Sequence, residues 1–219
     1  MKKITNWDIY TAQLVASRGA TATDYELLKS LARGRVLDAG CGTGIHLGRL
    51  AAHGVQEAIG VDVGMSGLHY GKKNFSNVVF IAASSSNLPF QAQKFDFIYS
   101  IDVIEHLYEP LVTLKEYYRI CKPGGLIFVQ TPNYPIKRVY DVWHWFRRSR
   151  LTVNDDPTHV SYFNSFTLKR MIVDVGFEVV SIFARNIAFQ NFSVMVDRWR
   201  SSWFGHCFGQ KVIIVALKL

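Results

Sequence analysis

The sequence predicts an α/β protein with a doubly wound, mostly parallel sheet of seven strands that ends in an antiparallel C-terminal strand pair. Short apolar runs rich in β-branched residues alternate with longer stretches of helical spacing. Strands that are apolar on both faces are typical of a parallel sheet covered by helices on both sides. The chain has 219 residues, of which 49% are hydrophobic. This is enough for one domain with a full core, and we expect residues 1–219 to form it.

The order of the elements follows from local signals. The predicted parallel strands are residues 35–38, 58–62, 78–81, 95–99 and 126–130. The predicted helices are residues 45–53, 65–75 and 103–121, the last of which stops at a Lys-Pro-Gly-Gly turn. Residues 177–183 and 212–217 are predicted to form the antiparallel pair. A helical insertion is expected after the fifth strand.

Two segments, 134–155 and 187–208, combine an apolar stripe with basic residues. The stripe residues at helical spacing are Ile136, Val139, Tyr140, Trp143 and Phe146 in the first segment, and Phe192, Met195, Val196, Trp199 and Trp203 in the second. Three interpretations stay open for these segments: packing on the sheet edge or on a second subunit, a lid over a substrate, and peripheral contact with a membrane.

Composition excludes several classes of protein. No apolar stretch reaches the ~18–20 residues that span a bilayer. The three cysteines, Cys41, Cys121 and Cys207, form no disulfide framework, which favours a reducing compartment and hence the cytoplasm. The net charge of +8 suits an anionic partner without choosing one. Nucleic-acid binding is disfavoured because no recognition module is present.

A glycine loop with acidic partners joins the first strand to the first helix. Gly40, Gly42 and Gly44 follow Asp38, and Asp62 ends the second strand. Glycines at this point allow a ligand to approach main-chain N–H groups, and a carboxylate after the second strand can bind ribose hydroxyls. The spacing is neither that of a dinucleotide-binding loop nor that of a P-loop. Because Asp38 would repel a pyrophosphate, the loop suits a ligand that carries a positive charge.

These residues carry a resemblance to a known family. Residues 36–44 and 60–62 resemble the first two motifs of class I S-adenosylmethionine-dependent methyltransferases, and residues 88–90, 95–98, 104–106 and 122–125 match later landmarks in the same order. The similarity covers residues 33–182, within a few positions. It is nearest in kind to the small-molecule O-methyltransferases of ubiquinone and menaquinone biosynthesis. The resemblance implies a Rossmann-like fold, S-adenosylmethionine as cofactor and S-adenosylhomocysteine as product.

The resemblance also implies roles for individual positions. The loop from Gly40 to Gly44, including Cys41 and Gly42, would hold the methionine part of the cofactor. Asp38 would orient its amino group, and Asp62 would bind its ribose. Val63 and Met65 would flank the adenine, and Ser100 would lie beside the sulfonium. Ser84, with its neighbour Ser85, stands where the family usually has an aspartate that binds the adenine amino group, so a weaker, uncharged hydrogen bond is expected there.

An acidic and histidine-rich cluster follows the fourth strand. Asp102, Glu105 and His106 have the i, i+3, i+4 spacing of one helix face, and His159 lies in a later loop. This set resembles the metal site of small-RNA 2′-O-methyltransferases, which pair a Glu-x-x-Glu-His turn with a distant histidine. Three interpretations stay open: a divalent metal site, a metal-free site in which Glu105, His106 and His159 line the acceptor pocket and a histidine acts as base, and a structural role.

The function predicted from these observations is methyl transfer from S-adenosylmethionine to an oxygen, less readily to nitrogen or carbon, of a small or lipid-like acceptor. The alternative is a catalytically silent module that keeps the cofactor fold and binds a membrane or a partner. A nicotinamide-dependent oxidoreductase is disfavoured by the glycine spacing.

Overall fold

The computed structural model describes residues 22–134, 158–187 and 209–219. Nearly all of the two basic aromatic segments, 134–155 and 187–208, lies outside the described residues, as do residues 1–21 and Cys207. The predictions about a lid, a membrane contact or a subunit interface in those segments therefore stay predictions.

Five helices and seven strands make up the described structure. The helices are α1 (Ala22–Leu31), α2 (Ile45–Ala52), α3 (Met65–Asn74), α4 (Pro110–Ile120) and α5 (Ser165–Val175), and a 3₁₀ turn spans Ile104–His106. The strands are β1 (Arg35–Ala39), β2 (Glu57–Asp62), β3 (Val79–Ala82), β4 (Phe95–Ile101), β5 (Cys121–Pro132), β6 (Phe177–Ile187) and β7 (Gly209–Lys218).

The seven strands form one sheet in the order β3-β2-β1-β4-β5-β7-β6. Neighbours from β3 to β5 run parallel, whereas β7 is antiparallel to both β5 and β6. Strand order reverses between β1 and β4, and in open α/β sheets such a reversal leaves a crevice at the carboxyl ends of the strands. The predicted fold class is confirmed, including the antiparallel C-terminal pair.

Two apolar layers cover the sheet. Successive side chains of a strand point to opposite faces, so β4 sends Ile98 to the layer that contains α4 and α5, and Phe97 and Tyr99 to the layer that contains α1 and α2. All three side chains are essentially inaccessible to solvent. This alternation fixes which polar side chain appears on which face where each strand ends.

One predicted helix is wrong in its extent. The helix predicted over residues 103–121 is instead the 3₁₀ turn Ile104–His106, a break, and α4, which begins at Pro110. The residue before a proline is disfavoured in the helical region, so Glu109 stops a continuous helix, and its φ of −124° and ψ of 67° lie outside that region. Asp102, with φ of 54°, is not helical either. The fifth strand is longer than predicted and runs from Cys121 to Pro132.

Among the helices of the described ranges, none combines the length and the apolar character needed to cross a membrane.

Candidate functional site

The predicted site residues lie at the carboxyl edge of the sheet, either in the last residues of the strands or in the segments that follow β1 to β5. The loop after β1 is built on glycines in the left-handed region, with φ of 90° at Gly40 and 72° at Gly44. The backbone N–H groups of Gly40 and Cys41 both donate to the carbonyl of Val61, at 2.8 and 3.0 Å. A Cβ atom at Gly40 would lie 2.2 Å from Cγ2 of Val103, so only glycine fits this turn.

Asp62 ties this loop to the end of β2. One carboxylate oxygen accepts a hydrogen bond from the N–H of Gly42 at 2.7 Å, and the other accepts one from the N–H of Gly64 at 2.7 Å. Each oxygen keeps a second lone pair for a ligand hydroxyl. Beside it, the Val63 and Met65 side chains are 55% and 47% exposed, which offers an apolar surface next to the carboxylate.

Asp38 is buried beneath the same loop. Its carboxylate accepts a hydrogen bond from the hydroxyl of Tyr99 at 2.7 Å. Burial raises the pKa of Asp38 to about 8; the Tyr99 hydrogen bond opposes this shift and the charge of Asp62 adds to it. The role of Tyr99 was not predicted from the sequence, although a signal existed: once β1 is placed beside β4, Asp38 and Tyr99 are cross-strand partners.

The other predicted cofactor residues differ in accessibility. Ser84 is exposed, and its hydroxyl lies 2.8 Å from that of Ser86, while Ser85 is buried. Cys41 is also buried, and its sulfur lies 2.8 Å from where a Cβ of Gly60 would be. Burial raises the pKa of the Cys41 thiol well above its usual value, so it is an inert packing group rather than a nucleophile.

These residues fit a cofactor with a cationic amino group. An ammonium group next to Asp38 would favour the ionised carboxylate. It would offset the desolvation that raises the pKa of Asp38 in the protein without a ligand. Ser100, the residue before the last one of β4, places a buried hydroxyl group at this edge of the sheet. The glycine turn, the Asp62 carboxylate and the apolar Val63 and Met65 surface are further features such a ligand uses.

Glu105 lies on the other face of the sheet edge and is almost fully buried. The hydroxyl of Thr131 donates to its Oε2 at 2.9 Å, while its buried Oε1 has no hydrogen-bond partner in the described part of the chain. The Glu105 carbonyl accepts hydrogen bonds from the N–H groups of Val160 and Ser161, which joins the 3₁₀ turn to the loop that carries His159. Burial, and after it the nearby charge of Asp102, raise the pKa of Glu105 to about 8, against smaller opposing effects of the Thr131 hydrogen bond and the charge of Lys211.

The two predicted histidines meet next to this carboxyl group. The imidazole rings of His106 and His159 are in edge contact, with centroids 4.7 Å apart. Nδ1 of His106 lies 3.2 Å from the Thr158 carbonyl oxygen, and Nδ1 of His159 lies 2.8 Å from the Tyr134 hydroxyl. One potential ligand atom from each of Glu105, His106 and His159 lies within 4.8 Å of the others. The structure therefore brings together all three residues predicted to be catalytic.

Asp102 does not belong to this cluster, contrary to the helix-face prediction. It precedes the 3₁₀ turn in a left-handed conformation, and its Oδ2 accepts a short hydrogen bond from the ammonium group of Lys211 on β7. The sequence analysis missed Lys211, and it also missed Thr131 and Tyr134 as partners of Glu105 and His159. These contacts join residues far apart in the chain, so no local pattern signals them.

Comparison with known proteins identifies similar sequences. A family model described as a methyltransferase domain matches residues 15–182. The ubiquinone/menaquinone biosynthesis C-methyltransferase UbiE of Legionella pneumophila is 30% identical over 167 residues, which cover 65% of this chain and 66% of that protein. A demethylmenaquinone methyltransferase of Staphylococcus saprophyticus is 33% identical over 112 residues, 48% of each chain. The chain thus spans about half to two thirds of the length of these two relatives.

Similar solved structures extend the match to the whole fold. A methyltransferase dependent on S-adenosylmethionine from Archaeoglobus fulgidus superposes with a TM-score of 0.70 at 22% identity, over 96% of this chain and all of that one. The [4+2]-cyclase SpnF superposes with a TM-score of 0.66 at 20% identity, over 90% of this chain and 80% of that one. Since this architecture serves more than one reaction, the fold alone does not assign the chemistry.

Proposed function

The chain belongs to the methyltransferase domain family, in the class I group that depends on S-adenosylmethionine, and from that premise we propose that it transfers the cofactor's methyl group to an oxygen of a small or lipid-like acceptor. The observation that supports this most directly is the meeting of Glu105, His106 and His159 at the edge of β4 and β5. A hydroxyl acceptor must lose its proton during transfer, and this cluster offers groups that accept protons.

Each side of the site has its own task in this proposal. Bound S-adenosylmethionine would supply an electrophilic methyl group, so the protein needs to position the acceptor and remove its proton. Asp38 orients the methionine amino group and Asp62 binds the ribose, while Ser84 takes the adenine edge. On the acceptor side His106 or His159 takes the proton, and Glu105, held by Thr131, holds the imidazoles in place or takes the proton itself.

The proposal also specifies oxygen as the acceptor atom that receives the methyl group. The relative from Legionella is named as a C-methyltransferase, and transfer to carbon or nitrogen is therefore the direct competitor. A carboxyl group with a pKa of about 8 is a stronger base than an ordinary glutamate, and such a base matters most for a hydroxyl acceptor.

Exposed apolar side chains support a lipid-like acceptor. The hydroxyl of Ser161 donates to the Leu107 carbonyl at 2.7 Å. Each of these two residues is followed in the chain by an exposed tyrosine, Tyr162 and Tyr108 respectively. Tyr108 is 73% exposed, Tyr162 is 53% exposed and Phe166 is 71% exposed. Aromatic side chains with polar tips suit contact with an amphipathic acceptor or with the surface of a membrane.

A second possibility for the same site is that it binds a divalent cation. Glu105, His106 and His159 would hold it, and their mixed nitrogen and oxygen donors fit several first-row metals. The contacts of Thr158 and Tyr134 with the Nδ1 atoms resemble the outer contacts that orient metal-bound imidazoles. A bound cation would lower the pKa of an acceptor hydroxyl. Turnover that survives treatment with EDTA would exclude this version, whereas loss of turnover that Mg²⁺ or Mn²⁺ restores would support it.

The test of the proposed function has two stages. Calorimetric titration with S-adenosylhomocysteine tests the cofactor assignment, and absence of both heat and thermal stabilisation would overturn it. Transfer of a labelled methyl group is then measured on phenols, catechols, amines and carbon acids. Transfer to the hydroxyl compounds is expected, and transfer to amines or carbon alone would overturn the choice of oxygen. Cofactor binding without transfer to any class would favour the catalytically silent module.

A further inference from the structure

A second polar cluster lies on the opposite face of the same sheet edge and is not used by the proposed chemistry. It consists of His46 at the start of α2, Asp102 after β4, Gln130 on β5 and Lys211 on β7. Gln130 is 1% exposed, yet within residues 22–134, 158–187 and 209–219 neither its amide nitrogen nor its amide oxygen has a hydrogen-bond partner. Buried amides are almost always paired, so this side chain requires an explanation.

The sheet register places the side chains of Gln130 and Lys211 on one face. Gln130 is the cross-strand partner of Ile213 on β7, and Lys211, two residues before Ile213, points to the same side. That face also carries Ile213 and Leu47 of α2 in one apolar cluster, and His46 directly precedes Leu47. The backbone N–H of Asp102 donates to the Gln130 carbonyl at 3.0 Å, which fixes Asp102 above β5.

Electrostatic interactions link His46, Asp102 and Lys211. The side chain of Lys211 is paired with Asp102. The pKa of His46 is lowered to about 4, first by burial and then by the charge of Arg49. The charge of Asp102 has a smaller effect that raises this pKa, and the charge of Lys211 has a smaller effect that lowers it. His46 is therefore neutral near pH 7, and the ammonium of Lys211 offsets the carboxylate of Asp102. The cluster as a whole carries no net charge.

Several hydrogen-bonding atoms of the cluster are buried without a partner among the residues that the structure describes. They are Nδ1 of His46, Oδ1 of Asp102, and Nε2 and Oε1 of Gln130. Together they can donate and accept at neighbouring points, because an amide does both and a carboxylate only accepts. A buried polar atom without a partner destabilises the folded state, and such a cost is typical of groups reserved for a ligand.

We propose that His46, Asp102, Gln130 and Lys211 form a subsite for an uncharged, hydroxyl-bearing part of the methyl acceptor, such as a ring with neighbouring hydroxyls. This inference rests on the proposed function, since it concerns the molecule that receives the methyl group. A hydroxyl donates to Asp102 and accepts from Gln130 at the same time. A charged group would be buried here without a free countercharge, because the two ions of the cluster already neutralise each other.

The first test measures stability in the absence of any ligand. Gln130→Met keeps the side-chain volume and removes the two unpaired amide atoms, so we expect the melting temperature of the full chain to rise by about 2–8 °C. Gln91→Met makes the same chemical change at an exposed position and is expected to leave the melting temperature within about 1 °C. A lower melting temperature for Gln130→Met would show that the amide stabilises the fold, and would overturn the proposal.

The second test measures fragment binding by ligand-observed NMR in the presence of saturating S-adenosylhomocysteine. Catechol is the neutral probe, and benzoate and benzylamine are the charged controls. We expect catechol alone to bind, and about three- to tenfold more weakly to Gln130→Met, the loss expected for a neutral hydrogen bond. Binding of catechol to both variants with equal affinity, or preferential binding of benzoate, would overturn the proposal.

A specificity change provides an independent check. Gln130→Glu places a second carboxylate beside Asp102, so we expect it to lose catechol binding and to gain binding of benzylamine. No gain of the cationic probe in a folded Gln130→Glu variant would count against the subsite. S-adenosylhomocysteine affinity is measured for each variant: if the unmodified chain does not bind it, the proposed function fails, whereas normal cofactor binding without the probe effects refutes only the subsite.

Discussion

Asp38 and Glu105 are two buried carboxyl groups at the same sheet edge, and they differ in what their oxygens contact. Burial raises the pKa of both to about 8. Asp38 accepts a hydrogen bond from Tyr99 on the face that packs against α1 and α2. Glu105 is held through one oxygen by Thr131 on the face that packs against α4 and α5, and its other oxygen has no partner among the described residues.

Two buried carboxyl groups with similarly raised pKa values therefore need not have the same role. Asp38 lies under the glycine loop, where an ionised carboxylate would serve a bound cation. Glu105 lies next to two imidazoles, where an available oxygen serves proton transfer or a ligand bond. If this contrast holds, substitutions on the Asp38 side affect cofactor affinity, and substitutions on the Glu105 side affect turnover.

The largest effect is expected for Asp62→Ala on the cofactor side. Loss of two charge-assisted hydrogen bonds to the ribose, together with release of the loop contacts at Gly42 and Gly64, should weaken S-adenosylhomocysteine binding about a hundred- to ten-thousandfold in calorimetry. Asp96→Ala is the matched control, since Asp96 also accepts a backbone N–H, that of Arg35, but at the opposite end of the sheet. Similar loss of affinity in both variants would show a general effect on folding.

Glu105→Gln is expected to separate turnover from cofactor binding. Loss of the carboxylate should lower kcat about a hundredfold, within the range for general acid–base groups, while S-adenosylhomocysteine affinity changes less than twofold. The measurement is labelled methyl transfer to the acceptor that the panel identifies. Glu116→Gln, on the outer side of α4 with Arg119 as its partner, controls for the change in charge. Full turnover in the Glu105→Gln variant would contradict the prediction that substitutions on the Glu105 side affect turnover.

Asp38→Asn tests the role of Asp38 through the pH dependence of S-adenosylhomocysteine affinity. Because a bound ammonium requires an ionised Asp38, S-adenosylhomocysteine affinity of the unmodified chain should rise up to about tenfold per pH unit from pH 6 until it levels off near pH 8. Asp38→Asn should remove this dependence and leave weaker binding at all pH values. An affinity that does not change with pH in the unmodified chain would contradict a protonated Asp38 in the free protein.

The last prediction concerns the stability of the cofactor-free protein. Both carboxyls bind their proton more tightly when folded, since their pKa values are raised from 3.8 and 4.5 to about 8. Stability should therefore be highest near pH 4 and fall as pH rises towards 8, by at most about 1.4 kcal/mol per pH unit for each group. Urea unfolding at pH 5 and pH 7 measures this slope.

Single substitutions test the assignment of this slope. Asp38→Asn and Glu105→Gln should each reduce it by one group's share. Asp96→Asn should not, because the pKa of Asp96 is lowered: its desolvation is outweighed by Lys122 and by the backbone N–H of Arg35. A slope that neither variant reduces would show that other groups control it.

Much of the fold is readable from the sequence because its signals are local. The first four strands lie within two residues of their predicted limits, since each is a short apolar run between turn residues. The glycine loop and Asp62 are visible for the same reason. The break before Pro110 was also readable, because a residue before proline avoids the helical region, but the apolar spacing on both sides concealed it.

The parts of the site that the sequence does not reveal depend on the order of strands across the sheet. Lys211 and Asp102 are 109 positions apart and meet only because β7 lies next to β5. Tyr99 meets Asp38 across 61 positions because β4 lies next to β1. No periodicity within one segment encodes such pairs. They become predictable only after a topology is assumed, as the Asp38 and Tyr99 register shows.

The position of β7 also bears on how the molecule assembles. It pairs with β5 on one side and with β6 on the other, although it follows both in the chain. During synthesis β5 and β6 therefore remain unpaired along these edges until the ribosome has released β7, and exposed edges invite association with other chains. Since Lys211 lies on that strand, Asp102 acquires its counterion only when β7 joins the sheet.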